Sequence, residues 1–244
     1  MEELAGIPEG KVLINTINAH SYNVAQKDEA FAEALRTIDN SQLTIDNGCV
    51  KYLIPDGASI VKACRWLKAK SQPKERIAGW DLFAFEMQRL EKSGEKSRVM
   101  FMGSSEKVLE MIRQRAAADY PNLEIVTYSP PYKAEFTEED NRAIVQAINE
   151  AKPDLLWIGM TAPKQEKWTY QHWKELDINC HVGTIGAVFD FYAGTATRAP
   201  KWWQAHGLEW LYRLMIEPRR MWRRYVIGNP LFIWNIRKEL RGKN

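Results

Sequence analysis

The sequence lacks the features that mark exported and membrane-spanning proteins. It has three cysteines, Cys49, Cys64 and Cys180, and none of them stands in a CxxC spacing. An odd number of cysteines without metal-ligand spacing is typical of a reduced, cytoplasmic chain. The acidic start MEELAGIPEG has no apolar signal core, and no run of about eighteen apolar residues occurs. These absences predict a cytoplasmic protein without a membrane-spanning helix.

Several catalytic signatures are also missing. The histidines show no HxxxH or HxH spacing and no DxD pair occurs, so nothing in the sequence supports a metal centre. The absence of GxGxxG and GxxxxGK[ST] argues against an NAD-dependent epimerase and a P-loop enzyme. No GxSxG nucleophile motif is present either. We therefore expect neither a metal ion nor a bound cofactor.

Charge is distributed unevenly along the chain. The net charge is +3, but residues 195–244 contain eleven Lys or Arg against three Glu, so this segment carries +8 and the rest −5. Five of the ten tryptophans also lie in the last 43 residues. A body with a basic, aromatic tail is expected to meet an anionic partner.

Short apolar strands alternate with helical patterns in the remainder of the chain. Strands are predicted at 11–16, 51–54, 98–103, 124–128, 155–160 and from 181, and helices at 22–36, 58–70, 80–91 and 138–151. This alternation predicts an α/β fold over residues 1–194, Rossmann-like, with a mostly parallel sheet flanked by helices. Residues 195–244 are predicted to form a basic, amphipathic, helical appendage. In such sheets, ligands bind beyond the carboxyl ends of the strands.

A local duplication interrupts the first half of the pattern. TIDN occurs at 37–40 and again at 44–47. Because loops tolerate extra length at little cost in free energy, we interpret this stretch as an inert insertion in a surface loop.

Two glycine-containing turns at the carboxyl edge are candidates for holding a phosphate. Gly103 and Ser104 lead from a strand into a helix, whose free amides and dipole favour an anion. A helix N-cap by Ser104 or Ser105 explains the same residues equally well. Gly183 and Gly186 turn the chain after the last predicted strand.

The segment TAPKQEKW offers polar groups beside another strand end. Pro163 suits the first position of a helix, which places Lys164 and Gln165 in its first turn. A cation and an amide there could hold a phosphate or a sugar hydroxyl. Glu166 and Lys167 are interpreted as part of a solvated first turn of that helix.

Asp56 follows a predicted strand and precedes a glycine at the same edge. A carboxylate in that place suits a general base. A turn or helix-capping aspartate is the simpler interpretation from the local residues alone.

The tail segment RLMIEPRRMWRRY (213–225) predicts a basic amphipathic helix that begins at Pro218. At 100° per residue, one arc of roughly 140° holds Arg219, Arg220, Arg223 and Arg224. The opposite side holds Met221, Trp222, Tyr225 and Val226. Such a helix could lie on an anionic membrane, bind nucleic acid, or pack on the body and leave its arginines in solvent. The tryptophans favour the membrane.

Five longer motifs occur in order between about Val12 and Ile236: PDGASIV, ERIAGWDLF, GMTAPKQEKW, GAVFDFYAGTATRAP and GLEWLYRLMIEPRRMWRRYVIGNP. Together they resemble the WecG/TagA/CpsF family, glycosyltransferase family 26. The resemblance implies a metal-independent, inverting transferase of cell-envelope polysaccharide synthesis. It would move a sugar from a UDP-sugar to a polyprenyl-diphosphate-linked sugar at the inner face of the bacterial membrane. N-acetylmannosamine, its uronic acid and a hexose such as glucose all suit this description as the sugar.

The resemblance also assigns site residues. The aspartate that the family is thought to use as general base matches Asp56. Further catalytic positions match Thr16, Asn18, Arg76 and Gln165. The C-terminal arginines, thought to complete the site and grip diphosphate, match Arg213, Arg220 and Arg224. For the donor diphosphate we also expect contacts from Gly103, Ser104, Lys164, Gly183 and Gly186. His20 departs from the glutamate that many members have.

Two other functions are compatible with the sequence. A nucleic-acid-binding module would use the basic tail, and a UDP-sugar-binding protein without activity would keep the donor site only. We favour the transferase, with a UDP-sugar, a lipid-linked acceptor and an anionic membrane surface as partners and no nucleic acid. A homo-oligomer is left open.

Overall fold

The computed structural model describes residues 2–36, 43–46 and 48–242. Seven strands form one sheet: β1 Val12–Ile17, β2 Leu43–Asp46, β3 Cys49–Pro55, β4 Ser97–Gly103, β5 Leu123–Tyr128, β6 Leu155–Gly159 and β7 His181–Thr184. Their order across the sheet is β2-β3-β1-β7-β6-β4-β5. Every neighbouring pair is parallel except β2 and β3. The predicted α/β fold with a mostly parallel sheet is therefore confirmed.

Before residue 195, the described part of the chain has nine α-helices, which cover the two faces of the sheet or begin the chain: α1 Glu2–Ala5, α2 Ala19–Ala25, α3 Glu29–Leu35, α4 Ala58–Trp66, α5 Gly79–Ser93, α6 Glu106–Asp119, α7 Glu138–Ala151, α8 Lys164–Gln171 and α9 Gly186–Ala193. One core cluster packs α5, α6 and α9 against one face, around Phe83, Trp157 and Phe189. A second packs α7 and α8 against the other face, around Leu156 and Trp168. The sheet is thus the middle of three layers.

The C-terminal segment, residues 195–242, is helical throughout most of its length. It contains α10 Lys201–Ala205, α11 Glu209–Ile216, α12 Pro218–Trp222, a π-helical turn Arg223–Ile227 and α13 Gly228–Gly242. Phe232 and Ile236 of α13 are buried in a third cluster with Ala19 and Ile60. The Tyr22 hydroxyl donates a hydrogen bond to the Glu239 carboxylate in the same contact. The last long helix is therefore packed onto the body rather than free in solvent.

Three local expectations are wrong. The helix expected over 22–36 is two helices: the first ends at Ala25 with Gln26 as its C-cap, and Asp28 caps the second by accepting a hydrogen bond from the Phe31 amide at 3.0 Å. The helix expected to run to residue 70 ends at Trp66. In the duplicated stretch, Leu43–Asp46 is not loop but an edge strand antiparallel to β3. The first TIDN copy, at 37–40, lies outside the described residues.

Candidate active site

Asp56 stands where β3 ends beside β1. The two strands are in parallel register, with Thr16 opposite Ile54 and Ile17 opposite Pro55. The Asp56 amide then donates a hydrogen bond to the Ile17 carbonyl at 2.8 Å, which fixes the aspartate at the carboxyl edge. The next residue, Gly57, has φ = 144°, a conformation that only glycine adopts readily. The strand end therefore presents Asp56 in front of helix α4.

Four charged groups act electrostatically on the Asp56 carboxyl. Burial, and next the Glu209 carboxylate, raise the pKa of Asp56 above its ordinary value. Arg213, Arg76 and Arg224 act in the opposite direction. Two of the three arginines and the glutamate come from the C-terminal segment, so this segment supplies most of the charge around Asp56.

A chain of ion pairs joins the body to the C-terminal segment next to Asp56. Arg76 contacts the Glu209 carboxylate at 3.2 Å, and Arg198 lies 3.9 Å from the same carboxylate. Arg198 also lies 3.9 Å from Asp81, at the start of α5. The prediction omitted Glu209, Arg198 and Asp81. All three lie inside the quoted motifs, so a charged residue within a long motif was the signal that could have found them.

The predicted C-terminal arginines occupy different environments. The Arg213 guanidinium lies over the Phe191 ring at 4.9 Å. Arg224 is part-buried, and its Nε has no hydrogen-bond partner within the described part of the chain. By contrast, Arg220 is 72% exposed and pairs with Glu217 at 2.6 Å. Arg213 and Arg224 thus face the Asp56 region, while Arg220 points largely to solvent.

His20, the position that departs from the family pattern, lies on this side of the molecule. Desolvation and the nearby Arg224 charge lower the pKa of His20 below its ordinary value. The neighbouring Asn18 caps α2, since its side-chain oxygen accepts from the His20 and Ser21 amides at 3.0 and 3.1 Å. The structure therefore gives Asn18 a capping contact, with Thr16 two residues before it in β1.

Gln165 is buried and joins two strand ends. Its side-chain oxygen accepts hydrogen bonds from the Met160 amide at 3.1 Å and the Gly186 amide at 3.2 Å. Its side-chain nitrogen donates to Glu166 at 2.8 Å. Gln165 therefore positions the loops that follow β6 and β7.

The interpretation of Glu166 as a solvated residue is wrong. Glu166 is 3% exposed, and burial raises its pKa to about 7. One of its oxygens has no hydrogen-bond partner among the described residues. Helix α8 turns this side chain inward because its Gln165–Glu166 and Trp168–Thr169 positions are the ones that face the protein. Lys167 is 31% exposed and pairs with Asp28 at 3.0 Å.

The other residues predicted to hold the donor diphosphate lie along the same edge. The Lys164 ammonium donates to the Lys133 carbonyl at 2.6 Å and lies 3.4 Å from the centre of the Phe136 ring, so it contacts the loop after β5. The Ser104 amide donates to the Gly159 carbonyl at 3.0 Å, which leaves Ser105 as the N-cap of α6. These groups line the β4–β5 side of the edge, whereas Asp56 lies on the β1–β3 side.

Three of the glycines at this edge are required by close packing. A Cβ on Gly103 would lie 2.3 Å from the Gly159 carbonyl oxygen. A Cβ on Gly183 would lie 2.2 Å from the Trp157 ring, and one on Gly186 would lie 2.2 Å from the Met160 carbonyl oxygen. Gly183 belongs to strand β7 and is buried, so its expected place in a turn is wrong. The chain turns at Ile185, and Gly186 begins α9.

The C-terminal segment exposes many large apolar side chains. They are Trp202, Trp210, Met215, Ile216, Trp222, Val226, Ile227, Ile233 and Trp234, and we call them the apolar surface. The predicted division into an arginine face and an aromatic face is wrong in detail. Met221 is buried, and Arg224 is half-buried and acts on Asp56. A π-helical turn replaces the regular helix from Arg223 to Ile227. In the described part of the chain, no helix is both long and apolar enough to cross a bilayer.

Comparison with known proteins gives a consistent result. The sequence profile of the glycosyl transferase WecG/TagA/CpsF family matches residues 2–244. A protein of Bacillus subtilis strain 168 is 27% identical over 231 residues, which cover 95% of this chain and 81% of the relative. A protein of Bacillus spizizenii is 30% identical, over 78% of this chain and 69% of the relative. A protein of Staphylococcus aureus strain NCTC 8325 is 27% identical, over 94% of this chain and 81% of the relative.

All three relatives carry the name N-acetylglucosaminyldiphosphoundecaprenol N-acetyl-beta-D-mannosaminyltransferase. The profile match covers nearly the whole chain, including the C-terminal segment that supplies Glu209, Arg213 and Arg224 to the Asp56 region. The protein therefore belongs to the WecG/TagA/CpsF family of glycosyl transferases.

Proposed function

We propose that the protein transfers a sugar from a UDP-sugar to a lipid-diphosphate-linked sugar, with inversion at the anomeric carbon. The observation that carries the proposal is the position of Asp56, a carboxylate of raised pKa at the sheet edge, among Arg76, Arg213 and Arg224. A base next to several guanidinium groups matches a reaction between a hydroxyl and a diphosphate ester. The names of the relatives support N-acetylmannosamine as the sugar and N-acetylglucosaminyl-diphosphoundecaprenol as the acceptor.

In the proposed reaction, Asp56 removes the proton from the acceptor hydroxyl. The hydroxyl oxygen attacks the anomeric carbon of the donor from the face opposite UDP. A new C–O bond forms as the bond from the anomeric carbon to the UDP oxygen breaks, and UDP leaves with the electron pair. The pKa of Asp56 is raised, which makes it a stronger base than an ordinary aspartate.

The negative charge that develops on the leaving UDP needs stabilisation. We propose that arginines supply it without a metal ion, because a guanidinium can hold a phosphate through two parallel hydrogen bonds. The unpartnered Nε of Arg224 is a donor without an internal acceptor among the described residues. A buried donor of this kind is costly unless a ligand uses it.

The lipid-linked acceptor requires the enzyme to work at a membrane surface. We propose that the apolar surface defined above rests on the inner face of the cell membrane. The exposed Arg219, Arg220 and Arg223 beside it would attract anionic headgroups. Tryptophans such as Trp222 and Trp234 suit the boundary between headgroups and acyl chains.

The test is a transfer assay with UDP-N-acetylmannosamine and a short-chain N-acetylglucosaminyl-diphosphate lipid. We expect release of UDP and a product with one more sugar. Asp56→Asn should lower kcat by about 10²–10⁴-fold, since it removes the base, while UDP still binds. The matched control is Asp177→Asn, an exposed aspartate before β7 at the opposite edge of the sheet. An Asp56→Asn enzyme with full kcat would remove Asp56 from this role.

A further inference from the structure

Glu209 lies between the body and the C-terminal segment at the place where the charges around Asp56 meet. Its side chain is 18% exposed, and those of its partners Arg76 and Arg198 are 24% and 19% exposed. Salt screens charges in such part-buried sites less than at the open surface. The interaction between these groups therefore persists at physiological salt.

The first turn of α11 carries Glu209, and Arg213 follows four residues later on the same helix face. Both groups act electrostatically on Asp56, one as an anion and one as a cation. The other charged groups that act on Asp56 are Arg76, before α5, and Arg224, in the π-helical turn. Of these four groups, Glu209 is the one carboxylate.

Three arginines beside one carboxylate create a conflict in the reaction proposed above. They suit a diphosphate, but they also stabilise the ionised form of Asp56 and so make it a weaker base. A second carboxylate at this point offsets that effect and also engages one of the arginines while no phosphate is bound. Glu209 meets both conditions, because it pairs with Arg76 at 3.2 Å and acts on Asp56.

We propose that Glu209 is a positioning residue, which pairs with Arg76 and Arg198, holds Arg76 near Asp56 and balances the arginine charge at the general base. The inference rests on the proposed function for its role in turnover. Glu209 does not itself contact the reacting atoms. It keeps Asp56 basic and fixes the start of α11, and so places Arg213.

A direct titration of Asp56 tests this role without any need for turnover. In protein labelled with ¹³C at aspartate carboxyls, the Asp56 signal is the one that Asp56→Asn removes. We expect Glu209→Gln to move its titration midpoint to lower pH, by roughly one unit, because the variant removes a nearby negative charge. Arg198→Gln should move it the other way, since Glu209 then has one cation fewer. Glu209→Asp keeps the charge and should leave the midpoint close to that of the wild type.

The matched control is Glu124→Gln, which breaks an arginine–glutamate pair of the same 3.2 Å length between β4 and β5. It should leave the Asp56 midpoint unchanged. In the transfer assay, Glu209→Gln should lower kcat on the order of tenfold. It should also move the acid limb of the pH profile of kcat/KM to lower pH. If Glu209 had only a structural role, Glu209→Gln would lower activity or stability without moving the acid limb of that pH profile.

The outcomes separate the two proposals. An unchanged Asp56 midpoint in Glu209→Gln and in Arg198→Gln overturns the role of Glu209, whatever the activity. If Glu209→Gln does not fold, the upward shift in Arg198→Gln carries the test alone. Wild-type protein that transfers no sugar overturns the proposed function, while the titration still decides whether Glu209 sets the basicity of Asp56.

Discussion

The Gln165 side-chain nitrogen donates a hydrogen bond to the Glu166 carboxyl at 2.8 Å, inside the first turn of α8. The acceptor is 3% exposed and keeps one oxygen without a partner in the described structure. A buried carboxyl in this condition favours its protonated form. Its effect on stability therefore depends on pH, opposite in sign to that of an aspartate held in a salt bridge.

Glu166→Gln is expected to stabilise the protein at high pH only. The ordinary pKa of a glutamate is about 4.3, and burial raises that of Glu166 to about 7. The cost of ionising it therefore grows as pH rises from about 4.3 and is complete above about 7. At pH 8 the variant should gain on the order of 2 kcal/mol in unfolding free energy, with little change near pH 4.5. Urea unfolding at both pH values measures this, and an equal difference at the two would contradict it.

A buried pair at the amino end of β7 is expected to respond to pH as well. The Nδ1 of His181 faces the Glu86 carboxylate at 3.0 Å and its Nε2 faces the Pro8 carbonyl at 2.9 Å. Both neighbours are acceptors, which favours the doubly protonated form of the ring. Burial alone would lower the pKa of His181, but the hydrogen bond to Glu86 and its charge outweigh burial and raise it. Burial would likewise raise the pKa of Glu86, but His181 and Arg89 lower it.

The directions of these two pKa shifts determine how the stability that the pair contributes changes with pH. The contribution of His181 is fully present below its unfolded pKa of about 6.5 and is lost as pH rises through the raised folded value. The contribution of Glu86 is present above about 4.3 and is lost as pH falls through its lowered value. Glu86→Gln should therefore lower the free energy of unfolding most near pH 6, by about 3 kcal/mol, and by less at pH 9. Chemical unfolding across this range checks the prediction, and a cost that rises with pH would refute it.

Gly183→Ala is expected to destabilise the fold without any change in charge. The added Cβ would lie 2.2 Å from the Trp157 ring, which is fully buried, so the ring or the strand would have to shift. Overpacking of this kind costs about 1–3 kcal/mol. Gly242→Ala is the control, because nothing lies within 4 Å of a Cβ there. Thermal unfolding of the two variants gives the comparison, and equal melting temperatures would show that the Trp157 ring can yield.

Binding to anionic vesicles is expected to depend on the apolar surface. Trp234→Ala removes an aromatic side chain that is 60% exposed, and should weaken binding to vesicles of phosphatidylglycerol and phosphatidylcholine several-fold. Trp66→Ala removes one that is 54% exposed on α4 and should have no effect. Co-sedimentation at low and high salt measures both variants. Equal loss in the two would argue against a localised membrane surface.

The fold could largely be predicted from the sequence because its signals are local. The boundaries of α7 match the prediction, since Thr137 and Asp140 form a capping box at its start. The antiparallel strand β2 could not be predicted in this way. Its residues belong to a duplicated polar stretch, and their pairing with β3 depends on a contact between segments rather than on a local pattern.

For the candidate site, a carboxylate after β3 could be predicted, but its surroundings could not. Asp56 and Arg213 are 157 positions apart in the chain, and no spacing rule connects them. Glu166 shows the limit most directly. A charged residue in a first helical turn is usually solvated, yet here it is buried on the inward side of α8. Such burial is a property of the tertiary fold.

The π-helical turn at Arg223–Ile227 sets the register of the last helix relative to Arg224. A π turn holds one residue more than an α turn, so it shifts the angular phase of everything after it. Arg224 can thereby face Asp56 while Phe232 and Ile236 of the continuing helix face the body. Loss of a single residue here would leave composition and helicity almost unchanged. It would rotate α13 by about 100° relative to Arg224. Arg224 could then no longer face Asp56 while Phe232 and Ile236 pack on the body.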